Sequence, residues 1–206
     1  MGAAVAERTT TSRSLDLHDP TEARLAGCAR RIGQLLKSPA VTANAQAQSS
    51  LDDFLGAVYA LIRAKHEGFR DRPGRTIAIL PVAQRAARIA AGNLKTEGLW
   101  IAGFYFNNAL FRTAAVYHRM LKVVTGGNGY VPTLLPKASK QYPSWTSSEL
   151  SKVHDQVNDL NHDLNHDPRG IYHGRTVTYA EALSAACELL EVIEAWVASH
   201  TPLRNK

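Results

Sequence analysis

The stretch His154 to Arg175, HDQVNDLNHDLNHDPRGIYHGR, carries the densest chemistry in the chain: His154, His162, His166 and His173, four of its eight histidines, with Asn158, Asn161 and Asn165 among them. Three kinds of chemistry are open to this set. Arg169 and His173, in the run Arg169-Gly170-Ile171-Tyr172-His173-Gly174-Arg175, suit phosphodiester cleavage. A guanidinium stabilises negative charge on a transferring phosphate and an imidazole moves the proton, with no metal required. His162 and His166 have the i, i+4 spacing of a helical metal pair, and zinc would need a third ligand such as His173 or Asp167 beyond the turn at Pro168. The third reading is structural: half-buried asparagines and histidines satisfy one another and the neighbouring backbone.

A helical wheel at about 100° per residue sorts these groups. Val153, Val157, Leu160 and Leu164 define a buried stripe, with His154, Asn161 and Asn165 at its edge and Asn158 slightly further out. Asp155, Asp159 and Asp163 lie on the far side, in water, and His162 points mostly to solvent. No Glu-x-x-His pair occurs in the chain, which argues against a di-iron bundle. No metal and no cofactor is expected.

The elements that must position these residues read as helices throughout, because no strand-like alternation of any length occurs. Pro20 at the first helical position, Asp19 before it and Glu22 in the first turn start a helix that runs through Leu25, Ile32 and Leu36 and stops before Ser38-Pro39. Residues 40–48 read as a linker. A second helix is expected from Ser49 or Ser50, with Asp52 and Asp53 near the positive end of its dipole. The charged run Lys65 to Arg75 reads as a loop, and a third helix is expected over 80–94.

The fourth helix, 98–124, is apolar around nearly its whole circumference and so is expected to be buried among others. Within it Asn108 and Arg112 are spaced as an i, i+4 pair. Gly126-Gly127-Asn128-Gly129 ends it, and a long loop follows with Pro132, Pro136, Pro143, Tyr130, Tyr142 and Trp145. Such a loop is either a lid or packing pinned by its own aromatics. Thr146 to Glu149 and Thr178 to Glu181 are capping boxes that open the last two helices. Leu183, Ala186, Leu189, Leu190, Ile193 and Trp196 mark the core face of the final one.

The resulting expectation is an all-α protein of five to six helices with an antiparallel four-helix core in the C-terminal two thirds. Residues 1–18 form a disordered extension, 19–200 a single helical domain, and about 78–199 its core bundle. The 206 residues carry a formal net charge of +6, compatible with a polyanionic partner. Cys28 and Cys187 sit beside alanines as buried free thiols, and without a CxxC spacing neither a redox pair nor a cysteine zinc site is suggested. No membrane span is expected, since the longest apolar stretch, 98–111, is cut by Arg112. A cytoplasmic location is expected.

Residues 98–198 also resemble the HEPN superfamily, small helical bundles that include metal-independent ribonucleases of toxin–antitoxin and phage-defence systems. The resemblance lies in the aromatic-rich long helix, the Asn/His-rich helix end, and an Arg…His…Gly turn opening a final amphipathic helix. It implies RNA as a partner, a homodimer or a protein partner, and Arg169 and His173 as catalytic residues. His154, Asn158, Asn161, Asn165, His166, Arg175, Asn108 and Arg112 would then support or bind. The family signature places four to six residues between arginine and histidine, whereas Arg169 and His173 have three between them. Arg112 and His118 have five, but on a straight helix their side chains point about 120° apart. Two functions follow: a ribonuclease centred on Arg169 and His173, or a non-enzymatic module binding nucleic acid or protein.

Overall fold

A computed structural model of the chain describes residues 19–69, 94–146, 150–158 and 177–200. Within them the fold is all-α. Helices α1 (Pro20–Leu35), α2 (Pro39–Thr42) and α3 (Ala45–His66) precede the long α4 (Leu94–Thr125). Then come α5 (Val131–Gln141), a 3-10 turn (Pro143–Thr146), the helical residues 150–158 (α6), and α7 (Tyr179–His200). The expected helix over 80–94 (apart from Leu94, which opens α4), the extension 1–18 and residues 147–149 of the first capping box lie outside the described residues.

Local chemistry sets the ends. Asp19 caps α1, its Oδ1 accepting from Thr21 N at 2.8 Å and Glu22 N at 3.3 Å, with Pro20 next to it. Residues 40–48, expected as a linker, are largely helical instead. Ser38 caps α2, and Asn44 caps α3, accepting from Ala47 N at 3.0 Å. The alanine-rich sequence costs nothing in helix propensity, and Asn44 supplies the start signal before Ser49 does. Asp53 therefore sits well inside α3 rather than at its positive end, and its carboxylate is free for a tertiary role. At its other end α3 runs to His66, one residue past the start of the expected loop, and closes on Gly68 with φ +81°, a conformation open to glycine.

The connection after α4 is also more ordered than its sequence suggests. Gly126, at φ +62°, ends α4 as expected. Residues expected as a long loop then form α5, which admits Pro132 in its first turn and carries Pro136 inside. Val131, Leu134 and Ala138 bury one face of this short helix. Trp145 beyond it is fully buried and stacks on Tyr117 of α4 with ring centroids 6.0 Å apart. The packing alternative for this segment holds at Trp145, while Tyr130 stays 80% exposed.

Among the described residues α3 packs extensively along α4. The pair is antiparallel, because Asp53 meets Arg119 while Arg63 lies over Tyr105. The start of α1 meets the end of α3 through the Lys65–Asp19 ion pair and a His66 Nε2–Glu22 Oε1 contact of 3.1 Å, and Glu22 is buried there. α7 closes the bundle. Its capping box forms as the sequence predicts, Thr178 N donating to Glu181 Oε2 at 2.8 Å and Glu181 N to Thr178 Oγ1 at 3.2 Å. All six of its expected core residues are buried. Tyr179 reaches back to donate to Leu61 O at 2.8 Å, and Phe69, Phe106 and Tyr179 form an aromatic cluster under that end.

One core thus joins α1 and α3 to the later helices and reaches beyond the C-terminal two thirds in which the sequence centres it. α4 is not buried all round: Phe104 is 52% exposed, and Asn108, Arg112, Ala115 and Arg119 line an outer strip. No helix among the described residues is long and apolar enough to cross a membrane.

Candidate functional site

The outer seam between α3 and α4 brings Asn108, Arg112 and Arg119 of α4 against Asp53 of α3. Arg112 Nε donates to Asn108 Oδ1 at 3.0 Å, the i, i+4 pair the spacing predicts. Its Nη1 reaches across to Asp53 Oδ1 at 3.4 Å, and Arg119 Nη2 meets the other oxygen, Oδ2, at 2.5 Å. Two guanidiniums share one carboxylate, so these three groups together carry one net positive charge. The side chains of Arg112 and Arg119 remain 42% and 31% exposed, and the Nε of Arg119 has no acceptor among the described residues.

The sequence allows this approach at one particular point. Gly56 faces Arg112 on α3, and a Cβ there would stand 2.3 Å from Arg112 Nη1. The missing side chain lets the guanidinium approach α3 at this point. At about 100° per residue, Asp53, Gly56, Tyr59 and Arg63 fall within a band of about 120° on α3, and Tyr105, Asn108, Arg112 and Arg119 within about 60° on α4. The seam is therefore continuous. At its far end the Arg63 guanidinium sits 5.7 Å from the Tyr105 ring centre, while Tyr59 is 55% exposed and Phe104 packs edge-on against Tyr105.

A second cluster lies where α6 meets α4. His154 is half-buried, its ring edge-on to Tyr117 with centroids 6.1 Å apart, and Asn158 Nδ2 lies 3.3 Å from His154 Nδ1. Val153 and Val157 are buried, as the wheel predicts, and Leu150 is buried with them; Asp155 is exposed as expected, whereas Asn158, read as half-buried near the edge of the stripe, is exposed. Burial, reinforced by Asp155, pushes the Tyr117 phenol up to about 12, so its O–H persists as the donor to Trp145 O at 3.2 Å. Nothing in the pattern singles out Gln156, yet it is buried, and its Oε1 has no partner among the described residues.

His118 does not join Arg112. Its Nε2 lies 3.0 Å from Gly129 O and pins the glycine turn after α4, while Arg112 turns to α3. Asn161, Asn165, His166, Arg169, His173 and Arg175, together with the metal-spaced His162, lie outside the described residues. Among the described residues no group of three or more His, Cys, Asp or Glu could hold a metal ion.

Sequence reasoning reached Asn108 and Arg112 but not Arg119, Asp53 or Gly56. The seven-residue interval between Arg112 and Arg119, which returns to the same helix face, is a usable signal; their shared carboxylate on another helix is not. No protein-family model, no curated protein and no solved structure matches the chain.

Proposed function

We propose that the protein binds single-stranded RNA along the α3–α4 seam. The observation that carries this reading is the sharing of Asp53 by Arg112 and Arg119, which leaves two guanidiniums on one carboxylate at half-exposed positions. Single-stranded nucleic acid is bound by such charge together with aromatic faces on which bases stack. Tyr59 and Phe104 supply those faces beside Arg63, Arg112 and Arg119, and the chain's net charge of +6 favours encounter.

The test is anisotropy of a labelled uridine 20-mer, titrated with protein over a series of salt concentrations. Wild type binds with a strong inverse dependence on salt. Arg112→Ala/Arg119→Ala weakens binding at low salt by about tenfold and lowers the slope of log K against log salt by about 1.4, two released counterions at about 0.7 each. Binding that ignores both salt and the substitutions removes the proposal.

The HEPN resemblance supports a second reading, a metal-independent ribonuclease with Arg169 and His173 at its centre. Half-buried His154, held by Asn158 at the described end of the same histidine-rich stretch, favours it. The same RNA incubated without metal separates the two readings on a gel. Fragments made by wild type and not by Arg169→Ala/His173→Ala establish cleavage; intact RNA with salt-dependent retention establishes the binding module. A homodimer or protein partner and a cytoplasmic setting belong to this proposal, and light scattering reads the dimer directly.

A further inference from the structure

Cys28 in α1 and Cys187 in α7 stand 159 positions apart in sequence, yet their sulfurs are 3.5 Å apart and both side chains are buried. The absence of a CxxC spacing, which argues against a redox pair, concerns local motifs only. The neighbouring helix turns hold the two backbones in place: Arg31 of α1 pairs with Glu194 of α7 through both Nε and Nη2. The sulfurs need to close by about 1.5 Å to reach the ~2.05 Å of a disulfide. Arg24, one helix turn before Cys28 on α1, contributes positive charge that favours a thiolate on Cys187.

We propose that Cys28 and Cys187 form a peroxide-responsive dithiol whose oxidation staples the N-terminal helix to the C-terminal helix. Cys187 is the attacking sulfur. Donation from the Cys28 S–H and the positive charge of Arg24 favour its thiolate, while the shared proton raises the Cys28 thiol. The Cys187 thiolate attacks one oxygen of hydrogen peroxide and breaks the O–O bond. The departing hydroxide takes the proton given up by Cys187 and leaves as water, and Cys187 becomes a sulfenic acid. The sulfur of Cys28 then attacks the Cys187 sulfur and breaks its S–O bond. That hydroxide leaves as a second water with the proton of Cys28. Two thiols and one peroxide give one disulfide and two waters, the sulfurs losing the two electrons that the peroxide gains.

The bridge closes a loop that contains α2 to α6 entire, so it constrains the unfolded chain strongly. Oxidation is expected to raise the melting temperature by on the order of 10 °C. This inference is independent of the RNA-binding reading.

The experiment treats the folded, reduced chain with hydrogen peroxide, then unfolds it in maleimide and measures the intact mass. Wild type is expected to lose two hydrogens, take up no maleimide, melt higher, and return to the dithiol in dithiothreitol. Cys28→Ala is expected to stop at a sulfenic acid on Cys187 that dimedone traps, while Cys187→Ala keeps its thiol. Two maleimides on peroxide-treated wild type, a disulfide between chains in place of the internal one, or an internal disulfide with an unchanged melting temperature overturns the proposal. The wild-type mass and melt decide between these outcomes even if neither variant folds.

Discussion

Replacing Gly56 by alanine separates the stability of the α3–α4 seam from its function. The new Cβ would lie 2.3 Å from Arg112 Nη1 and 3.2 Å from its Cζ, so the guanidinium must move. It is the far end of a flexible, 42% exposed side chain, and nothing of the backbone is in the way. Alanine in a helix interior gains about 1 kcal/mol over glycine. The lost Arg112–Asp53 contact, long at 3.4 Å and open to solvent, is worth about 0.2–1 kcal/mol. Asp53 keeps Arg119. The balance runs from about 0 to 0.8 kcal/mol of added stability, a rise of up to about 3 °C in melting temperature at ~2–4 °C per kcal/mol. RNA binding should move the other way, with a loss of a few-fold in affinity and about 0.7 from the salt slope, one phosphate contact. Thermal melts followed by circular dichroism, with anisotropy on the same samples, read both effects. A fall of several degrees would show that Arg112 cannot step aside, and unchanged affinity with an unchanged slope would take Arg112 out of the interface.

Trp145→Ala should cost about 3–5 kcal/mol in urea unfolding, because the indole is fully buried against Tyr117. Trp145→Phe should cost clearly less, since the indole N–H has no acceptor among the described residues; equal costs would mean that N–H is bonded after all. The backbone and side chain of Thr178, with Lys152, hold the Glu181 carboxyl below its ordinary value of 4.5. Its contribution is therefore complete above about pH 4.5 and is lost as pH falls through the lowered value. Glu181→Ala should cost about 0.3–1.5 kcal/mol at pH 7, and wild type and variant should converge in strong acid. A gap that persists at pH 2 would assign the loss to packing rather than to the cap.

Much of the secondary structure is legible because its causes are local. Asp19-Pro20, Gly126 and the Thr178–Glu181 box each start or stop a helix through contacts made within a few residues. The apolar faces of α6 and α7 follow in the same way from helical period, since Val153, Val157, Leu183 and Ile193 repeat at intervals that a single helix turns inward. Where the structure departs from the pattern, local signals conflict. Residues 45–50 are small and polar, yet Asn44 caps them into α3, and the three prolines after α4 hide α5, which takes Pro132 in its first turn and carries Pro136 in its interior.

The candidate sites were decided at longer range. Asn108 and Arg112 share a helix, so their pairing was already present in the spacing. The carboxylate that joins Arg112 to Arg119 is 59 positions from one and 66 from the other, and the gap that admits the guanidinium is an atom Gly56 lacks. The two thiols likewise meet only because α1 and α7 pack side by side, 159 positions apart in the chain. Helix formation depends on each residue's near neighbours, which a sequence lists in order. Which distant charges and sulfurs become partners depends on how whole helices bury their faces against one another, and only the packed structure settles that.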